Sequence, residues 1–328
     1  MSDPTPKRSP QFVRLLNTFG PFLGLLLVIV LFSLSNEVRP FFLSGANFKI
    51  ILTQTVIVAI GALGMTLIIV SAGIDLSVGS VVALTNVTGA MILMNHPAST
   101  VTAALATVAL GGLIGLVNGS VIAGVRMLPF IVTLGMMGVA RGTAKWMAKN
   151  QTVNAPENEL NKLMELRDPD HLFPLPYGVW VAVGLAVITS ILLNRTVFGR
   201  YIFAIGSNEA TARLCGVRVR LYKVAIYALA GLFFGVSGLM QFSRLTQGDP
   251  TVAIGLELDI IAAVVIGGAS LNGGTGSILG SMIGALIMAV LRNGSNQMGW
   301  PTYMQEIIIG IVIILAVGVD KLRQSRQA

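Results

Sequence analysis

The sequence predicts an all-α polytopic membrane protein with about ten transmembrane helices. Of its 328 residues 54% are hydrophobic and 11% charged, where soluble domains carry roughly a quarter charged residues. The mean hydropathy is +0.80. The apolar residues fall in runs close to the roughly 20 that cross a hydrocarbon core as a helix, without the period-2 alternation of a membrane barrel. In lipid, such runs must satisfy their own backbone groups, which a helix does.

The first expected span, Phe19 to Ser35, follows Lys7, Arg8 and Arg14. Ser33, Leu34 and Ser35 resemble a cleavage site, but the apolar run is longer than a signal-peptide core, so a retained helix is expected. Ile50 to Ser71, Leu76 to Met94 and Thr102 to Asn118 come next, carrying the polar groups Gln54, Asn86 and Asn118. These amides either bond between helices or line a path for a hydroxylated solute. Leu128 to Met147 holds Arg141, a charge inside an apolar helix that requires a carboxylate or carbonyl partner. In its opening PFIVTLGMM, Phe130, Met136 and Met137 suit packing or a gate rather than a cofactor box. Tyr177 to Asn194 follows a polar loop, and Val224 to Phe242 precedes Gly255 to Gly268, a run short enough to be broken or buried within the bundle. Gly276 to Arg292 and Glu306 to Val319 complete the set.

Small residues recur every four positions in Gly111, Gly115 and Gly119, in Gly231 and Gly235, and in Gly276, Gly280 and Gly284. This spacing lets helix backbones approach closely. The turns GIDLSVGS (73–80) and SLNGGTGS (270–277) each end one span and open the next through Gly-Ser, a faint internal similarity that places Asp75, Ser77, Asn272 and Gly274 at reversals on one side. Asp75, Glu257, Asp259 and Glu306 lie near helix starts, where the positive end of the helix dipole favours a carboxylate; a contact to solute or partner is the other reading. Glu257 and Asp259, two apart, do not share a helix face.

The net charge of +8 comes with no aromatic stacking platform, so nucleic-acid binding is not expected. Cys215 is the only cysteine, which excludes an intramolecular disulfide and a Cys/His metal site. His96 and His171 fall in loops, apart from any nucleophile, so no catalytic set is expected. The tract GGASLNGGTG (267–276) ends without the Lys of a phosphate-binding loop, so ATP hydrolysis is not expected of this chain. The larger share of Lys and Arg falls on the side of the termini and of residues 195–223, which puts both termini inside and sends Trp146, Trp180, Trp300, Tyr177 and Tyr303 to the outer interface. The interval 195–223, RTVFGRYIFAIGSNEATARLCGVRVRLYK, is a polar, basic stretch between apolar runs. It has the character of a docking surface for a soluble partner.

Four collinear blocks, AGIDLSVGS (72–80), PFIVTLGMMGVARG (129–142), GRYIFAIGSNEATARLCGVRV (199–219) and LELDIIAAVVIGGASLNGGTGSILG (256–280), resemble the ribose-type sugar permeases of bacterial ATP-binding cassette importers. The resemblance covers nearly the whole chain after Phe41. It implies a vitamin-importer-like (type II) multi-helix fold in the bacterial inner membrane and a permease homodimer. It also implies a separate ATPase subunit holding ATP and Mg, and a periplasmic or surface-tethered binding protein delivering a sugar. No cofactor is implied for this chain. By the same likeness, Gly206, Asn208, Glu209, Ala210, Arg213 and Gly216 belong to an ATPase-coupling loop whose Glu-Ala-x-Ala pattern is a loose version of the one in other importer permeases. The implied organisation is a cytoplasmic tail at 1–18, one transmembrane permease domain at 19–320 and a cytoplasmic tail at 321–328. The coupling loop spans 195–223 and an outer loop 148–176. Asn86, Asn118, Phe130, Arg141, Glu257 and Asp259 are the candidate pathway or partner contacts. An ion-coupled transporter, a channel, or a branched-chain amino acid as solute are the alternatives.

Overall fold

The computed structural model describes residues 10–97, 99–166 and 175–325; Lys7, Arg8, Arg167, Asp168, Asp170, His171 and Arg326 lie outside them. Nearly all regular structure is helical. The helices are α1 (Pro10–Ser33), α2 (Arg39–Phe42), α3 (Gly45–Val70), α4 (Val78–Asn95), α5 (Thr100–Val125), α6 (Pro129–Met147) and α7 (Tyr177–Arg195). They continue with α8 (Val197–Ser207), α9 (Glu209–Leu214), α10 (Val219–Leu245), α11 (Leu256–Ile266), α12 (Ile278–Gln297) and α13 (Thr302–Ser325). Among the described residues six are long and apolar enough to cross a membrane: α3, α4, α5, α7, α10 and α12.

Several ends differ from the expectation. α1 starts ahead of Phe19, α10 ahead of Val224, and α5 continues past Asn118 to Val125. The span was expected to end at Asn118, whose amide instead lies buried within the helix, where Asp75 and Ser77 receive it.

α3 is the hub, in contact with α7, α8, α10, α11 and α12. It is apolar all round, as a helix surrounded by protein should be. Its buried residues run from Val56 to Val70 without interruption. Against it, α5 and α10 form a seam without side chains. Gly111 lies on the Gly231 carbonyl and Gly235, Gly115 on the Tyr227 carbonyl and Gly231, and Gly119 on Val224 and Tyr227, with no room for a Cβ at any of them. A second seam sets Gly280 on Gly267 and Gly284 on Ala263, joining α12 to α11. The four-residue spacings thus mark close approaches of helix backbones.

Two connections break the pattern of full-length helices. Between α3 and α4, residues 71–77 fold back without regular structure before α4 begins, and its first turn lies far from the level at which α3 ended: Gly79 abuts the Ala253 carbonyl and the Glu257 carboxylate. From the opposite face, residues 246–255 descend from a short antiparallel pairing (Val153 with Gly248, Asn154 with Gln247) to the start of α11. Gly255 holds φ +80°, a left-handed value at which a side chain is strained. The short span expected from Gly255 is therefore a half-length helix, and it meets the start of α4 within the bundle.

Candidate functional site

The start of α4 is organised by one buried carboxylate. Asp75 Oδ1 accepts from the Ser77 backbone N–H (2.8 Å) and from Ser77 Oγ (2.6 Å). The Asn118 amide from α5 donates to Asp75 Oδ2 (3.4 Å) and Ser77 Oγ (3.2 Å). Thr133 from α6 accepts from the Leu76 N–H (3.1 Å), and Tyr227 from α10 donates to the Ile74 carbonyl (3.4 Å). Irregular backbone inside a membrane bundle is tolerated where protein groups satisfy it. Asp75, Ser77 and Asn118, with Thr133 and Tyr227, do this for residues 74–77, so the turn at Asp75 lies in the interior, with its carboxylate 1% exposed.

The second re-entrant segment is held in the same way. Arg141 donates to the carbonyls of Pro250 (2.9 Å) and Val252 (2.6 Å), so of the two kinds of partner expected, carboxylate or carbonyl, it takes the carbonyl. Asn86, fully buried on α4, donates to the Gln247 carbonyl (3.2 Å) and accepts from the Asp249 N–H (2.8 Å). Glu257 lies against Gly79, at the positive end of α4. Asp259 points elsewhere, to an ion pair with Arg292 of α12 at 2.6 Å. The two acids use different helix faces, as their spacing requires. Phe130 is half exposed at the start of α6, where its carbonyl accepts from Thr133 (3.4 Å).

On the face where α3 ends, the stretch Gly199–Val219 forms two short helices at an angle. Asn208 ends α8 and caps α9, its side-chain oxygen accepting from the Thr211 N–H (2.9 Å), a cap worth about 1 kcal/mol. Gly216, at φ +82°, turns the chain out of α9. Glu209 bridges two elements, accepting from Arg213 (2.8 Å) and from Lys223 of α10 (2.6 Å). Burial works to raise the Glu209 carboxyl, but hydrogen bonding and charge from Lys223, joined by Arg213, hold it below its ordinary value. A small core of Ile205, Ala212, Val217 and Val219, with Tyr201 and Tyr222 edge to face at 4.9 Å, fixes α8, α9 and the start of α10 as one unit. Ala210 and Arg213 are exposed, and Leu214 is 89% exposed.

The base of this unit rests on both reversals. A Cβ at Gly206 would overlap the Val70 carbonyl and the Gly274 nitrogen. Gly274 itself donates to the Val70 carbonyl at 2.9 Å. Gly273 abuts Ala72 and the Gly206 carbonyl, and Gly274 abuts Ser207. Asn272, at the tip of its turn, is exposed. The two related sequence turns therefore meet each other, and α8 sits across their junction. Thr133, Tyr227, Lys223 and Arg292 escaped sequence reasoning. For Lys223 and Arg292 the signal was available in their position at the edge or inside of apolar helices, where a charge needs a partner.

The chain matches the family model described as "Branched-chain amino acid transport system / permease component" over residues 47–317. It is 40% identical to the ribose import permease protein RbsC of Escherichia coli K12 over 301 residues, 92% of this chain and 94% of that protein. It is 36% identical to the ribose import permease protein RbsC of Bacillus subtilis 168, over 98% of each chain. The fructose import permease protein FrcC of Rhizobium meliloti is 35% identical over 286 residues, 85% of this chain and 79% of that protein. No solved structure matches. With the match to the family model running through both re-entrant segments and the α8–α9 unit, the chain belongs to the family of permease components of branched-chain amino acid type transport systems.

Proposed function

We propose that this chain is the membrane-spanning permease subunit of an ATP-binding cassette importer for a sugar or sugar-like solute. The carrying observation is the α8–α9 unit, a rigid polar platform that projects Ala210, Arg213 and Leu214 while its Gly206 base rests on the ends of α3 and of the 270–277 turn. A large apolar side chain left 89% exposed beside a charge cluster suits a protein partner, and the partner in this reading is a separate ATPase subunit that binds ATP and Mg. On the same reading the platform face is cytoplasmic, both termini lie on it, the chain makes about ten crossings in a type II arrangement, and two copies pair in the bacterial inner membrane. A binding protein delivers solute to the opposite face.

Sugar is favoured over a branched-chain amino acid. The family description covers a broad set, whereas relatives named for ribose and fructose import align over most of their length. The α4–α11 junction supports alternating access, since half-helices that meet within a bundle are the elements around which repeats rock in transporters. An ion-coupled mechanism would need a titrating acid free to exchange its ion; Asp75 and Asp259 are both bonded into the scaffold.

Replacing Glu209 and Arg213 together by Ala removes the charges that tie α9 to α10 and face the partner. Uptake of labelled sugar in cells should fall to background while ATP hydrolysis by the partner and membrane insertion persist. Unchanged uptake would remove the coupling role from this unit. Dissipating the membrane potential while maintaining ATP separates the classes, because an ATP-driven importer continues at full rate and an ion-coupled transporter stops.

A further inference from the structure

Two cavities open in the half of the molecule away from α8–α9. The larger, about 730 Å³, lies under residues 157–166 and is lined by Glu157, Asn158, Lys162 and Glu165. The smaller, about 330 Å³, lies deeper, between α3, α10, α11, α12 and α13. Gln54 and Arg244 line both, so the cavities form one funnel that narrows inward. Its floor is closed, with Gly61 packed against Ile260 and Ser237 donating to the Ile57 carbonyl at 2.6 Å.

The deeper cavity concentrates polar groups among apolar helices. Asp259 is 3% exposed and paired with Arg292. The buried Nε of Arg292 has no hydrogen-bond partner among the described residues. Gln241 is 8% exposed, Gln54 beside it is partly buried and Arg244 is exposed, and none of these three side chains bonds to a described residue. The buried Gln241 amide and the buried Nε of Arg292 are costly within a helical bundle unless something receives them. Ile57, Val58 and Met288 supply an apolar wall opposite.

We propose that this deeper cavity is a solute-binding site of the permease itself, recognising a polyhydroxylated solute through Gln54, Gln241, Arg244, Asp259 and Arg292. The inference rests on the sugar-permease reading and extends it, since recognition is then not left to the delivering protein. Amides and guanidiniums meet hydroxyl oxygens, Asp259 accepts from hydroxyl hydrogens, and the apolar wall takes the C–H face of a ring. A volume of this size is at the lower end for small-molecule pockets, about 300–1,000 Å³. An amino acid fits poorly: its ammonium group needs a carboxylate, and among the described residues Asp259 is the one carboxylate lining the cavity and already bonds Arg292. One guanidinium, Arg244, is left without a counter-charge there, which favours an acceptor-rich solute over a cation.

The test is cysteine accessibility in right-side-out membrane vesicles, using a membrane-impermeant maleimide and the full chain. Cys215 is the chain's only cysteine, and it lies at the end of α9, beyond the reagent's reach; labelling of the unsubstituted chain would reverse the assigned orientation and overturn the proposal. Gln241→Cys should react from outside. D-ribose or D-fructose should slow its labelling about tenfold at ten times the Kd, the free fraction being 1/(1 + [L]/Kd). Lys162→Cys, at the mouth, should react at a rate the sugar leaves unchanged. Gln54→Cys provides a second probe should Gln241→Cys fail to insert. Labelling that no sugar slows, in a cysteine variant that itself still takes up sugar, would overturn the site and leave the permease reading standing. Slowing by L-leucine and by neither sugar would overturn both. Failure of both cavity cysteines to react while Lys162→Cys does would show that no funnel reaches them.

Discussion

At the scale of single residues, Glu209 is the joint of the α8–α9 unit, because one carboxylate ties its own helix to α10 through Arg213 and Lys223. Its folded pKa lies below the ordinary value, so the stability it adds is complete above the unfolded carboxylate pKa, about 4.3, and is lost as pH falls through the lower folded value. The wild-type chain in detergent should therefore melt at a higher temperature than Glu209→Gln at neutral pH, and the two melting curves should converge as the solution is acidified below about pH 4.3. A gap that persists in strong acid would deny the charge its role. Arg141 acts differently, since its two bonds go to backbone carbonyls of the descending 246–255 segment. Arg141→Met leaves those carbonyls without their donor, at a cost of about 1–3 kcal/mol for each one left unsatisfied. The melting midpoint should drop, and limited proteolysis should find new cleavage near Pro250; a variant as stable and as resistant as wild type would show that the segment holds itself.

At the scale of elements, the α5–α10 seam is the most exacting contact. Backbone meets backbone at Gly111, Gly115 and Gly119, so a side chain there has nowhere to go except by forcing the helices apart. Gly115→Leu should destabilise by about 1–3 kcal/mol or more, the range for overpacking a tight interior. Gly124→Ala, on the same helix but with open space around it, should leave the thermal midpoint unchanged or raise it slightly, by a helix-propensity gain of up to about 1 kcal/mol. Equal effects of the two substitutions would mean that helix propensity rather than packing governs α5. Both seams were legible from spacing alone, as was the shortness of α11, because glycine periodicity and run length are local properties of a chain. The end of α5 and the depth of the Asp75 turn were not. Whether Asn118 ends a helix or is received inside one depends on Asp75 and Ser77, which are remote in sequence and adjacent only after α4 and α5 pack.

At the scale of the whole molecule, the polar interval 195–223 was visible as a unit apart from the apolar helices, because lipid would not tolerate its charges. Its seat was not visible, since the junction of Val70, Gly206 and Gly274 joins three distant stretches through backbone atoms that carry no sequence signature. The funnel also escaped the reading: Arg292 scans as a charge near a helix end, and only the packing of α12 against α11 brings it to Asp259, with the exposed Arg244 lining the same cavity. One helix joins these two regions. α10 holds Lys223, bonded to Glu209, near one end and Gln241 and Arg244, at the funnel, near the other. Its 27 residues span about 40 Å at 1.5 Å per residue, and along its middle it is splinted to α5 by contacts between backbones. A bar braced in this way has no soft joint in which a displacement can dissipate. On the proposed reading, a push delivered at Lys223 would arrive at Gln241 and Arg244 as the stroke of a piston, with no relay of side chains needed between them.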